Sequence, residues 1–204
     1  MMDASAFIEQ LEQGVAPPTF RIHRYPAGMI DRLNLPGNRA VVLRPILPQD
    51  AEAEQRFVTG LSLASRHKRF HVGLRQLSPS TLRQMTEIDY RDHVALVAQV
   101  QDESRAPDIE PEIVADARYV RLAGTNEAEF AIAVADEWQS LGLGRALMAR
   151  LARHARTQGL EALVGDVLPE NRRMIVLMRG LGANTRPHPD GPGLVQVVYG
   201  LASI

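Results

Sequence analysis

Gln139, Gly142 and Gly144 fall within six residues, where the alanine-rich run "EAEFAIAVA" gives way to "LGLGRALMARLARHAR". Glycine disfavours a helix by roughly 1 kcal/mol relative to alanine. Two glycines at a helix start therefore serve either a close approach of backbone to a ligand or a tight strand-to-helix turn, and the local sequence leaves both open. The first N–H groups of a helix have no intrahelical partner and lie at the positive end of its dipole, so such a turn suits an anion. Glycines would remove the side chains that hold a phosphate away. "GLGRAL" lacks the third glycine of a dinucleotide fingerprint, and no Gly-Lys-Ser/Thr is present for a P-loop.

The preceding run supplies the second candidate. A strand alternates faces, so Glu127, Glu129, Ala131, Ala133 and Ala135 share one side of "EAEFAIAVA". Three alanines leading to a carboxylate leave a slot for a thin ligand arm with a base at its far end. Arg145 lies either near bound phosphates or in solvent. His67 and His71 are four apart, but no third ligand accompanies them, so no metal site is expected. Trp138 reads as a shield for the turn.

These residues need elements to position them. "AVVLRPI" reads as a strand ended by Pro45 and Pro48, with Asp50 as the N-cap of a helix around "AEAEQRFVTGLS". "SRHKRFHVGL" and "PSTLRQMTEID" read as two more helical pieces. "HVALVAQV", "EIVADARYVRL" and "EAEFAIAVA" are successive strands, with the acidic loop "QDESRAPDIEP" between the first two. Leu143, Leu147, Leu151 and Ala155 recur every four residues, which makes the next segment an amphipathic helix. "LEALVGDVL" is a strand, "PENRRMIVLMRGLG" a helix stopped by Gly182, and "GLVQVVYGL" a final strand. Consecutive strands followed by α/β alternation predict an α/β fold on a mixed sheet of about six to seven strands. Residues 1–39 read as an N-terminal extension: a short helix around Phe7, Ile8 and Leu11, then an ordered strap or a linker. Residues 40–204 read as the domain.

Composition narrows the function. With 204 residues and 45% apolar content the chain can bury a real core. A net charge of −1 creates no overall attraction to nucleic acid or anionic lipid. No apolar run reaches membrane-spanning length, and the N-terminus lacks a signal-peptide pattern. The absence of cysteine excludes disulfides, thiolate metal sites and a cysteine nucleophile, and it agrees with a cytoplasmic location. Lys68 is the only lysine among 23 basic residues.

"VADEWQSLGLGRALM" resembles the acyl-CoA signature Gln/Arg-x-x-Gly-x-Gly/Ala of the GNAT superfamily of N-acyltransferases, here Gln139, Gly142 and Gly144. "VLRPILPQDAE", "RYVR…EAEFAIAV" and "ENRRMIVLMRGLGA" are similar to other elements of that fold, and the likeness spans roughly residues 22–201. "YPAGMIDRL…VVLRPILPQD", "SLASRHKRFH" and "IDYRDHVALVAQV" are similar to the acetyltransferase part of bacterial protein lysine acetyltransferases. The resemblance implies that acetyl-CoA is the co-substrate, with no metal. Backbone amides across Leu141, Gly142, Leu143 and Gly144 would bind its pyrophosphate, with Gln139 and Arg145 alongside. The strand at Val134 would pair with the pantetheine arm. Asn171 would contact that arm or cap its own helix. Glu129, just before Phe-Ala, matches the proposed general base, with Glu127 as runner-up.

Two departures stand out. Seven residues after Asn171, where many members carry a tyrosine that protonates the leaving thiolate, stands Met178. The usual glycine of the third strand is Ala115, followed by Asp116. Asp89, Tyr90 and His93 lie where the resembled acceptor groove begins, although their types equally suit packing or surface. Three functions follow: acetylation of protein lysines, acetylation of a small amine, or acyl-CoA sensing without turnover. If lysine is the acceptor, Lys68 is the one internal side chain open to self-modification.

Overall fold

The computed structural model describes residues 25–101, 111–188, 191 and 193–202. The helix expected around Phe7, Ile8 and Leu11, and most of the acidic loop, lie outside the described residues. Eight strands form one sheet: β1 (Asp31–Leu35), β2 (Arg39–Pro45), β3 (His93–Val100), β4 (Ile113–Arg121), β5 (Glu127–Val134), β6 (Ala162–Val167), β7 (Asn184–Pro187) and β8 (Val195–Gly200). Their order is β1-β2-β3-β4-β5-β6-β8-β7. Among the described residues only β5 and β6 pair in parallel, because α4 (Leu143–Thr157) crosses over between them. The mixed sheet follows the expectation, with eight strands against about six to seven. β1 lies in the strap before residue 40, hairpinned to β2, and Asp31 pairs with Arg150 of α4. β7 is a four-residue edge strand too short to show periodicity.

Helices cover both faces. α1 (Ala51–Gly60), α2 (Leu63–Phe70) and α3 (Pro79–Thr86) pack on one side. α4 and α5 (Arg172–Arg179) pack on the other. The split follows strand alternation: Val94, Leu96 and Ala98 of β3 join the α4 core, whereas Ala95 and Val97 join the α1–α3 core. Along α4, Leu143, Leu147, Leu151 and Ala155 are buried with Met148 and Ala152, so the four-residue repeat is the packing stripe. Each such leucine contributes about 1.5–3 kcal/mol by leaving water.

Asp50 departs from its expected role. It occupies the N-cap position of α1, but its carboxylate does not cap that helix. It instead accepts two hydrogen bonds from Arg44, at 2.6 and 2.7 Å, and one from the backbone of Leu47 at 2.8 Å. The charged fork of arginine outcompetes a single amide. The motif "RPILPQD" thus closes on itself through its two ends.

Candidate functional site

β5 and β6 pair only at Glu127, Ala128 and Glu129, and beyond Glu129 they part. Ala135 N donates to Val114 O, so the odd residues of β5 direct their backbone groups toward β4. Ile132 and Val134 therefore direct theirs into the fork that β6 has left. From Glu129 to Val134 this open edge runs about 17 Å.

A cleft of about 520 Å³ passes through the fork. Ser65, Lys68 and Arg69 of α2 wall it on one face of the sheet, and Asn171 to Met174 with Val176 and Leu177 wall it on the other. Gln139 joins the walls. Its Nε2 donates to Val134 O at 3.0 Å and to Ser65 Oγ at 3.4 Å, while Arg173 donates to its Oε1 at 2.6 Å. α2 is pinned further by Asp136, which accepts from Ser62 N at 3.0 Å and Ser65 Oγ at 2.8 Å. Desolvation opposes the charge on Asp136, but these hydrogen bonds hold its carboxyl below the usual range.

At the turn, Ser140 (φ 63°) and Gly142 (φ 89°) both adopt left-handed backbone. Gly142 is the N-cap of α4 and no side chain caps that end. The first α-helical bond there is Ala146 N to Gly142 O, which leaves the amides of Leu143, Gly144 and Arg145 without intrahelical partners. Gly144 serves close packing, since a Cβ there would meet Leu177 Cδ2 at 3.2 Å. Gly142 thus bends the chain, and Gly144 admits α5. Arg145, Arg172 and Arg173 line the cleft and add positive charge to the dipole.

Of the sequence-selected residues, Val134, Gln139, Gly142, Gly144, Arg145 and Asn171 line the cleft together. Leu141 and Leu143 turn their side chains to the α4 core and offer only backbone. Asn171 both lines the cleft and caps α5, accepting from Met174 N at 3.4 Å. Arg145 lines the cleft but its guanidinium donates to Gly180 O at 2.9 Å, which binds α4 to the end of α5. Trp138 is buried beside the turn with the Arg39 guanidinium 4.9 Å from its ring centre. Met178 is fully buried in the α4 core. Sequence reading missed Ser65, Arg69, Arg172 and Arg173. Their signal was the cationic flank of two helices, legible only once the fork brings α2 and α5 together.

Glu129 stands at the base of the fork, beyond the cleft lining at Ile132 and Ala133. It shares a sheet face with Asp166, because Glu129 registers with Val164 and parallel neighbours point alike. Desolvation and the Asp166 charge raise its pKa to about 7 against the opposing pull of Arg69. Asp166 is held by His188 Nε2 at 3.1 Å and Gln196 Nε2 at 3.3 Å. A half-buried carboxylate tuned to neutrality is suited to take a proton.

Behind it lies a charged interior. Arg118 is 1% exposed and binds Asp116 at 3.0 and 2.5 Å, with Glu54 at 3.6 Å. The acidic departure at Asp116 is therefore neutralised within its own strand. Desolvation first, then the Asp116 charge, push the Glu54 carboxyl far above the ordinary range. Burial draws Arg69 down to about 10, so it stays cationic at neutral pH. Asp89 accepts from three successive amides, Tyr90 donates to Ile46 O at 2.7 Å, and His93 contacts Arg118 at 3.3 Å. All three are packing or turn residues. Among the described residues no group of three His, Cys, Asp or Glu could hold a metal, and no helix is long and apolar enough to cross a membrane.

A sheet forked beside a glycine turn, with a cationic cleft through it, suits an extended anionic ligand, and the comparisons identify the class as acyltransferase. Residues 65–183 match the model of the Acetyltransferase (GNAT) family, and the chain belongs to that family. It is 33% identical over 169 residues to acetyltransferase PA5475 of Pseudomonas aeruginosa, covering 83% of this chain and 87% of that one. It is 34% identical over 142 residues to acetyltransferase Pat of Mycolicibacterium smegmatis, covering 69% of this chain and 40% of that protein. The GNAT domain of S. lividans PAT superposes with a TM-score of 0.76 at 29% identity, covering 86% of this chain and 99% of that one. Enzymes of this family transfer an acyl group from acyl-CoA to an amine.

Proposed function

We propose that this chain acetylates the side-chain amine of protein lysines with acetyl-CoA as donor, in the cytoplasm, and that Glu129 is its general base. The observation that carries this reading is the fork: an open strand edge leading from an uncapped, cation-flanked helix N-terminus to a half-buried carboxylate of pKa about 7. The amides of Leu143, Gly144 and Arg145 would hold the pyrophosphate, and Val134 and Ile132 would pair with the thin arm. The thioester would then lie toward Glu129. The cleft volume and the small side chains of Ala131 and Ala133 suit that arm.

An incoming lysine is mostly an ammonium at pH 7 and must lose a proton before attack. Glu127 and Glu129 lie at the closed end of the fork, with Asp166 just beyond the last pair on β6, and they attract that cation. Glu129 takes the proton, directly or through water. The amine nitrogen then bonds to the thioester carbon and sheds its second proton to solvent as the C–S bond breaks and CoA leaves as thiolate. Among the described residues no tyrosine lines the cleft and Met178 is buried, so in this reading the thiolate departs without a tyrosine donor. A thiol that ionises near pH 8.5 permits this.

Incubation with acetyl-CoA and a panel of protein and small-amine acceptors tests the reading. Acetyl transfer to protein lysines in preference to polyamines, amino acids or aminoglycosides supports it. Turnover confined to a small amine overturns the acceptor, and binding without turnover overturns the enzyme.

A further inference from the structure

We infer that Lys68 is a modification site: it accepts the acyl group from acyl-CoA bound in its own cleft. The inference rests on the donor reading above. It is carried by the position of α2. Ser65, near the start of that helix, meets Gln139 at the anion end of the cleft, and Arg69, near its finish, acts on the charge of Glu129. α2 therefore runs antiparallel to β5, from the turn toward the base. Lys68 lies about 4.5 Å further along the helix axis than Ser65. It is exposed and forms part of the cleft wall. The sole lysine of the chain thus stands beside the path between the phosphate end and the base, where the thioester of an extended arm must pass.

The chemistry uses the machinery already present. The Lys68 ammonium gives one proton to the Glu129 carboxylate, its Nζ bonds to the thioester carbon and sheds its second proton to solvent, and the C–S pair leaves with CoA as thiolate. The side chain becomes a neutral amide. One positive charge on the donor wall is lost and an acyl group occupies the cleft beside Arg69. A molecule that has acylated itself should therefore hold acyl-CoA less firmly, which makes the reaction a brake when donor is abundant and acceptor scarce.

Intact-protein mass spectrometry with peptide mapping, after incubation of the full chain with acetyl-CoA alone, tests this. The expected result is one acetyl group on the Lys68 peptide, formed at a rate per molecule that serial dilution does not change. Glu129→Gln should slow labelling by about tenfold or more, and Lys68→Arg should show no internal label. Equal labelling of native and urea-unfolded protein, or a rate that falls on dilution, would overturn the inference. An unlabelled Lys68 while added amine is still acetylated overturns self-acylation and leaves the enzyme reading standing. An unlabelled Lys68 with no transfer to any amine overturns both.

Discussion

Glu129 acquires its chemistry from what surrounds it. Desolvation at the fork raises its pKa, Asp166 adds to the rise and Arg69 opposes it, bringing the carboxyl to about 7. The sign of the pH dependence follows. The base form is lost as pH falls through about 7, so the rate of transfer should decline on that acid limb. Asp166→Asn removes the repulsion while keeping an acceptor for His188 and Gln196, and it should move the acid limb to lower pH in a profile of kcat/KM. An unmoved limb would mean that Asp166 does not act on the base. The place of Glu129 at the end of an alanine row was legible from strand alternation, whereas its choice over Glu127 rested on the resemblance. Asp166 was not legible, because only the register of β5 with β6 brings it alongside. Asp50 holds the N-cap position read from sequence, but its carboxylate goes to Arg44 six residues earlier, because a charged fork competes better than a single amide.

At the scale of elements, the turn and the two helices facing across the fork decide what the cleft can hold. Gly142 has left-handed backbone, and a Cβ there would meet nothing within 4 Å. Gly142→Ala therefore tests backbone strain, about 1–2 kcal/mol, whereas Gly142→Asp adds a negative charge at the mouth of an anion site. Titration calorimetry should show acetyl-CoA affinity falling severalfold for alanine and by tenfold or more for aspartate, about 1.4 kcal/mol or above. Equal, small losses for both would place the phosphates elsewhere. The strand-turn-helix unit was readable because periodicity changes from two to 3.6 across it. β1 and β7 were not, since a five-residue strand near two prolines and a four-residue edge strand carry almost no period. The roles of α2 and α5 as opposite walls depend on a sheet that opens between its fifth and sixth strands, and no local pattern encodes that opening.

The whole molecule holds this fork open against a charged interior. Glu54 is fully buried, with Arg118 Nη2 3.6 Å from one oxygen and no hydrogen-bond partner for either oxygen among the described residues. Its pKa lies above the unfolded value, so the native state binds the proton more tightly. Stability is therefore unpenalised below about pH 4 and falls as pH rises from the ordinary glutamate range through neutrality. Glu54→Gln keeps the shape without the charge, so its stability advantage over wild type in urea unfolding should grow across that window. Parallel curves would show that Glu54 ionises freely. The central claim, however, concerns Glu129, and the pH profile of acetyl transfer to a lysine acceptor by wild type and Glu129→Gln tests it most directly. The account predicts equal acetyl-CoA affinity, a wild-type acid limb near 7, and a variant slower by about 10²–10⁴ at pH 7. That deficit should narrow as alkaline pH frees the amine. Wild-type turnover by the variant at pH 7 would contradict the account and move the proton to Glu127 or to water.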